Sequence, residues 1–157
     1  MVVVEPIDAV VDAVVSASRA LVAVAARSLA DVAEEVTLTQ YRTLVVLASR
    51  GPQTLNGLAQ AVGVTPATAT RMCDRLVRKR LIVRRAERED RRNLRVSLTP
   101  KGHDLVASVT ANRRHEIARI VSAIPSEERL ALVQTLHRFT SAAGEVPEQD
   151  WATGWNL

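Results

Sequence analysis

Apolar residues recur three or four positions apart from Ile7 to Val32, through Val10, Val11, Val14, Val15, Ala17, Leu21, Val22, Ala25 and Leu29. That period predicts one long helix over residues 6–33. Its polar side is thin, because Val24 and several alanines fall outside the stripe. Apolar contacts are therefore expected on two sides, with its own domain and with a second subunit. Thr37-Leu38-Thr39-Gln40 has the form of a capping box, Thr37 reaching the amide of Gln40 and Gln40 reaching back. It opens a helix over 38–49 with Tyr41, Leu44, Val45 and Leu47 turned inward, and Gly51-Pro52 breaks that helix. Thr54 caps a short third helix whose Leu55, Leu58, Ala59 and Val62 share a face. Gly63 ends it, because glycine takes the left-handed conformation of a tight stop. Thr65-Pro66 supplies the next N-cap and first-turn proline, and a fourth helix runs to about Lys79 with Ala69, Met72, Cys73 and Leu76 inside.

The period then falls to two. Leu94, Val96 and Leu98 alternate with Arg95 and Ser97, the pattern of a half-buried strand, and the 82–85 segment is its partner. Between them lie Glu87, Arg88, Glu89, Asp90, Arg91 and Arg92, so the pair is predicted as a hairpin with a protruding charged tip. Thr99 caps a further long helix from Pro100 to about Ala123. Pro125-Ser126-Glu127-Glu128 starts another, to about Ala142, with Leu130, Leu132, Val133, Leu136 and Phe139 as its apolar stripe. The tail from Gly144, with Pro147, Trp151 and Trp155, is expected to be irregular and packed across a dimer. The fold class is mainly α with a small β-hairpin wing. A winged helix-turn-helix domain (36–102) follows an N-terminal dimerisation helix (1–35) and precedes C-terminal dimerisation helices and tail (103–157).

Charge sharpens that picture. The net charge of the 157 residues is only +4, yet eleven basic against four acidic residues fall between Arg71 and Arg95. Basic charge gathered on a helix-turn-helix and its hairpin is the electrostatic footprint of a nucleic-acid binder. The single cysteine excludes an internal disulfide framework and fits a reducing cytoplasm. MVVVEPID lacks a basic n-region, and Asp8, Asp12 and Arg19 interrupt the first apolar stretch, so neither export nor membrane spanning is expected. Gly-rich phosphate loops, paired catalytic carboxylates and nucleophile motifs are missing, which argues against an enzyme and implies no cofactor.

LTQYRTLVVL (38–47), LAQAVGVTPATATRMCDRLVRKRLIVR (58–84) and DRRNLRVSLTPKG (90–102) resemble the MarR family of bacterial winged-helix regulators, and the order of elements extends the resemblance over 6–142. The resemblance implies a cytoplasmic homodimer that binds a pseudo-palindromic operator in double-stranded DNA as a transcriptional repressor. It further implies release by a small aromatic or lipophilic anionic effector. One residue departs from the pattern: Arg80 stands where the family usually has a glycine after its recognition helix. A left-handed backbone costs a non-glycine residue roughly 1–2 kcal/mol, so either the helix ends differently or Arg80 bears strain.

On the fourth helix, Thr65, Ala67, Thr68, Thr70, Arg71 and Arg75 lie at the N-terminus or away from the Met72/Leu76 stripe, on the face offered to a major groove. The fork of Arg71 matches the O6/N7 pair of guanine, and Thr68 offers a methyl or hydroxyl to a base edge. Thr39, Thr65 and Thr70 suit phosphates, as do helix N-terminal amides. In the wing, Arg92 suits a narrow A·T minor groove, with Asp90 orienting its guanidinium if the segment is extended. The resemblance gives this Asp-x-Arg the same minor-groove role. Arg84, Arg85, Arg88 and Arg91 read equally as phosphate contacts or as solubilising charge, and Arg71 and Arg75 as a solvated face salt-bridged to Asp74 or a wing carboxylate.

From the family layout, an effector pocket is expected where the dimer helices meet the winged domain, lined by Val22, Tyr41, Arg42, Leu105 and Val109; each also reads singly as core. Cys73 lies on an inner stripe, where cysteines are usually inert, and the family's peroxide sensors carry theirs in the first long helix. His103, His115 and His137 read as surface or capping residues; His115-Glu116 with His137 would make half a metal site, without the i, i+4 spacing of a helical ligand set. The alternatives to an effector-released repressor are a winged helix used as a protein-interaction module and a thiol- or metal-responsive regulator.

Overall fold

A computed structural model of the chain describes residues 6–32, 34, 36–86 and 94–152. In order these form α1 (Ile7–Ser28), α2 (Leu38–Arg50), β1 (Gln53–Thr54), α3 (Leu55–Val62), α4 (Pro66–Arg78), β2 (Ile82–Ala86), β3 (Leu94–Leu98), α5 (Pro100–Val121) and α6 (Ser126–Ala142). Short 3-10 turns occupy Ala30–Val32 and Glu148–Asp150. Local chemistry sets the helix starts. Gln40 N donates to Thr37 Oγ1 (3.2 Å) and Thr37 N to Gln40 Oε1 (3.1 Å), the reciprocal pair of a capping box. Thr54, Thr65 and Thr99 cap α3, α4 and α5 with a single bond, each side chain accepting from the amide three residues on.

The wing is a three-stranded antiparallel sheet in the order β1-β3-β2 rather than a simple hairpin. β2 and β3 pair from Ile82 opposite Leu98 to Ala86 opposite Leu94, while β1 adds Gln53 opposite Val96 and Thr54 opposite Arg95. Two residues leave no alternation to read, so β1 is invisible in the hydrophobic pattern. Of the predicted inner face of β3, Val96 is buried and Leu98 half-buried, but Leu94 is 47% exposed because the register carries it beyond the core.

One apolar cluster joins Tyr41, Leu44 and Leu47 of α2, Leu58 of α3, Met72, Cys73 and Leu76 of α4, Ile82 and Val96 of the sheet, and Leu105, Val106 and Val109 of α5. α1 joins the body only near its C-terminal end. Val24 and Ser28 are its buried residues, and Arg27 pairs with Glu116 of α5 at 3.3 Å. It ends at Ser28, short of the predicted Ala33, and passes into a 3-10 turn. Ile7, Val10, Val11, Val14, Val15, Leu21 and Val22 remain exposed, and so do Leu130, Val133, Leu136 and Phe139 of α6. Of the tail, residues 144–152 are described: a 3-10 turn at Glu148–Asp150 interrupts otherwise irregular chain, and Trp151 packs against the core cluster, while Trp155 lies outside the described residues.

The exit from α4 decides between the two readings of Arg80. Leu81 N donates to Leu76 O (3.0 Å) and Arg80 N to Val77 O (2.9 Å), while Arg80 itself has φ 61°. This is a Schellman ending, completed by the apolar pair Leu76 and Leu81, both fully buried. The helix ends as a glycine would end it, and Arg80 bears the strain. Arg80→Gly is expected to raise stability by about 0.5–1 kcal/mol, the relief of left-handed strain less the entropy returned to the unfolded chain. A thermal melt checks this; an unchanged or lower midpoint would mean that the arginine side chain compensates.

Candidate nucleic-acid interface

α3, the turn at Gly63-Val64 and α4 form the helix-turn-helix. Burial of Ala69, Met72, Cys73 and Leu76 seats α4 on the core and fixes its rotation. Thr65, Ala67, Thr70, Arg71 and Arg75 are consequently exposed, with Thr68 half-buried. Thr68, Arg71, Met72 and Arg75 share one shallow groove of about 240 Å³ with Thr37, Thr39 and Gln40 from the start of α2. Two guanidinium groups thus stand beside a helix N-terminus, whose amides carry partial positive charge. The charged side chains lining this groove, Arg71 and Arg75, are both positive.

Two of the threonines expected to meet phosphate already serve the helix. Thr65 Oγ1 accepts from Thr68 N (3.2 Å) and donates to Thr68 Oγ1 (2.9 Å), and Thr70 Oγ1 donates to Pro66 O (3.0 Å). Thr39 stands exposed in the first turn of α2. Asp74 pairs with neither Arg71 nor Arg75. Its Oδ1 accepts from Nη2 of Arg84 at 2.6 Å, tying β2 to α4. Arg84 is half-buried and is a structural tie in this arrangement, whereas Arg85 is exposed. Arg88, Asp90, Arg91 and Arg92 lie outside the described residues.

Cys73 is fully buried, and burial pushes its thiol above the ordinary range, with Arg84 lowering it and Asp74 raising it in smaller measure. Redox-sensing cysteines have the opposite environment, exposed and with a depressed pKa. His115 lines a crevice with Arg27, Ser28, Asp31, Asn112 and Glu116, while His137 lines a separate one beside the tail. No group of three or more His, Cys, Asp or Glu able to hold a metal occurs among the described residues.

Of the expected effector residues, the structure brings Tyr41, Leu105 and Val109 together in the core cluster. Val22 lies on the exposed face of α1, and Arg42 forms a two-pronged pair with Glu145 of the tail. Tyr41 Oη and Thr110 Oγ1 share a hydrogen bond of 3.2 Å. Burial raises the phenol's pKa, against the Thr110 bond and the nearby Arg113, with Glu148 raising it slightly further. Arg113 was not singled out from the sequence, because a basic residue on an amphipathic helix reads as solvated. Its guanidinium lies 5.3 Å from the Tyr41 ring centroid, within cation–π range, and its Nε is buried without a hydrogen-bond partner.

Comparison with known proteins agrees with this geometry. The sequence model of the MarR family matches residues 36–94. The chain is 32% identical to the HTH-type transcriptional repressor MdtR of Bacillus subtilis, over 76% of its own length and 77% of the relative's. It is 29% identical to the transcriptional repressor MprA of Escherichia coli, over 75% and 68% of the two lengths. Among solved structures, RV1404 from Mycobacterium tuberculosis matches with a TM-score of 0.83 at 46% identity, covering 92% of this chain and 98% of that one.

Proposed function

The chain belongs to the MarR family of DNA-binding transcriptional regulators, and on that premise we propose that it is a cytoplasmic homodimeric repressor, released from a pseudo-palindromic operator by a small aromatic or lipophilic anion. The observation that carries the reading is the groove in which Arg71 and Arg75 stand beside the N-terminus of α2. α4, 13 residues and about 20 Å long, fits a major groove, where Arg71 forks onto a guanine and Thr39 and Arg75 meet phosphates. In this reading Arg85 of β2 meets the adjacent backbone, and the roles for Arg88, Asp90, Arg91 and Arg92 are those the sequence suggests, phosphate contact for Arg88 and Arg91 and the minor groove for Arg92 with Asp90.

The exposed apolar faces of α1 and α6 support the dimer. A lone chain would leave eleven large apolar side chains of these two helices in water, and a two-fold partner covers them. By length and composition α1 would also pass for a membrane span, with a mean hydropathy of 1.8. Its seat on α5 through Val24, Ser28 and Arg27 favours the dimer instead. In this reading the effector displaces packing around Tyr41, Leu105 and Val109 and meets Val22 and Arg42, which are more exposed. Arg42 already holding a carboxylate, that of Glu145, favours an anion there.

The test is a gel shift on the duplex just upstream of the protein's own gene, at two salt concentrations and with excess nonspecific competitor. Binding that survives competitor and weakens steeply with salt is expected. Arg71→Ala should cost about 1–3 kcal/mol and relax base preference at one position in each half-site; an unaltered preference would make it a phosphate contact. A folded dimer that binds no duplex at either salt concentration would point to the protein-interaction role instead.

A further inference from the structure

α6 buries none of its residues, yet its far end is held. Gly144 (φ 73°) closes the helix, with Glu145 N donating to Thr140 O (3.0 Å) and Gly144 N to Ser141 O (3.1 Å), and the chain doubles back along α2. The Glu145 carboxylate then accepts from both terminal nitrogens of Arg42. Arg50 Nη2 donates to Gly144 O at 3.3 Å, and Ala152 N donates to Ser49 O at 3.1 Å. Glu148 pairs with Arg114 of α5 at 3.2 Å. Trp151 packs against the core cluster while its Nε1 donates to Val146 O at 3.0 Å. The partners on α2 run from Arg42 to Arg50, and the first turn of that same helix walls the groove that holds Arg71 and Arg75.

We infer that residues 144–152 are a latch that fixes the angle between the α6 arm and the winged domain, so that operator affinity depends on a segment that touches no DNA. The inference rests on the homodimeric reading above, in which α6 belongs to the arm that joins the two domains. The latch positions; it does not read bases. With the arm latched, α2 transmits one orientation to α4, and the two recognition helices of the dimer keep one separation. With it open, each domain pivots on the arm and the separation is no longer set. Both ion pairs are substantially exposed, with side-chain accessibilities of 38% and 42% for Arg42–Glu145 and 74% and 43% for Arg114–Glu148. Exposed pairs add little to global stability and Trp151 is only half-buried at the edge of the core cluster, so the latch opens without unfolding the domain. Any ligand that takes Arg42 or Arg114 from these carboxylates opens it.

Two variants test this, Glu145→Gln with Glu148→Gln and a chain ending at Ala143, against palindromes that the wild-type protein selects from a random duplex pool. In a Trp155→Phe background Trp151 is the single tryptophan, and acrylamide quenching of its emission should rise in the double variant. Both variants should remain dimeric by light scattering. Affinity for the selected palindrome should fall roughly five- to tenfold, and the penalty for inserting one base pair between half-sites should shrink. Affinity for a duplex carrying a single half-site should not change. Equal losses on half-site and palindrome, or an unchanged spacing profile in both variants, would overturn the latch, as would unaltered quenching in the double variant. If the wild-type protein selects no palindrome, the functional reading itself fails and the latch falls with it, a result distinct from the others.

Discussion

Gly102→Ala is expected to destabilise the protein by about 2–4 kcal/mol, lowering the melting midpoint by roughly 5–15 °C. A Cβ at this position would stand 2.1 Å from the carbonyl oxygen of Leu81 and 3.0 Å from its carbonyl carbon. Both sides of that clash are backbone, so no side-chain rotation relieves it. Leu81 cannot retreat, because it is fully buried and its carbonyl accepts from Thr99 N at 3.1 Å. α5 cannot easily lift, because Gly102 N donates to the Thr99 cap at 3.1 Å and the next turn plants Leu105 and Val106 in the core. Thr99 Oγ1 in turn donates to Arg80 O at 2.6 Å, so the end of α4, the entry to the wing and the start of α5 meet at one point. Alanine's better helix propensity returns at most about 1 kcal/mol. A calorimetric melt checks the prediction, and a shift under about 2 °C would show that the junction relaxes.

The LTPKG stretch was legible as a capped helix start, but the reason for its glycine was not. A threonine cap and a first-turn proline are local signals, and they placed the start of α5 correctly. The clash at Gly102 depends on where Leu81, twenty-one residues earlier, ends up in space. The same division holds elsewhere. Thr37-Leu38-Thr39-Gln40, Thr54 and Thr65-Pro66 marked their helix starts because each cap is completed within three residues. Arg80 could be narrowed to two readings from sequence, and only its backbone angle chose between them.

The candidate site divides in the same way. Exposure of Arg71 and Arg75 follows from the inner stripe of α4, since helical period alone sets which face is left over. Their meeting with Thr39 does not, because α2 approaches α4 through tertiary packing. Asp74 was in view, but its partner Arg84 lies ten residues on, across the helix end and into the sheet. The tail contacts are longer-ranged still, with Arg42 and Glu145 103 positions apart. No periodicity reaches across such a distance.

Leu136→Glu is expected to leave the winged domain folded, convert the protein to a monomer and weaken operator binding by at least about a hundredfold. Leu136 is exposed in the single chain, so the substitution removes nothing from the core of its own domain. In a two-fold dimer the same residue enters the interface twice, and a carboxylate placed in an apolar interface without a partner costs several kcal/mol at each appearance. The consequence for DNA follows from valency. A dimer grips two half-sites at once, and specific operators are held at about 10⁻⁸–10⁻¹¹ M, whereas nonspecific binding lies near 10⁻⁴–10⁻⁶ M. A single domain on a single half-site loses the second set of contacts and falls toward the nonspecific range. Val14→Glu on the exposed face of α1 should act the same way. Light scattering reads the mass, a gel shift reads the affinity, and an unaltered melt of the winged domain separates assembly from folding. A variant that stays dimeric would move the interface away from α6. A monomer that still binds the operator at full strength would mean that one α4 and one wing suffice, and that the apolar faces of α1 and α6 serve some other contact.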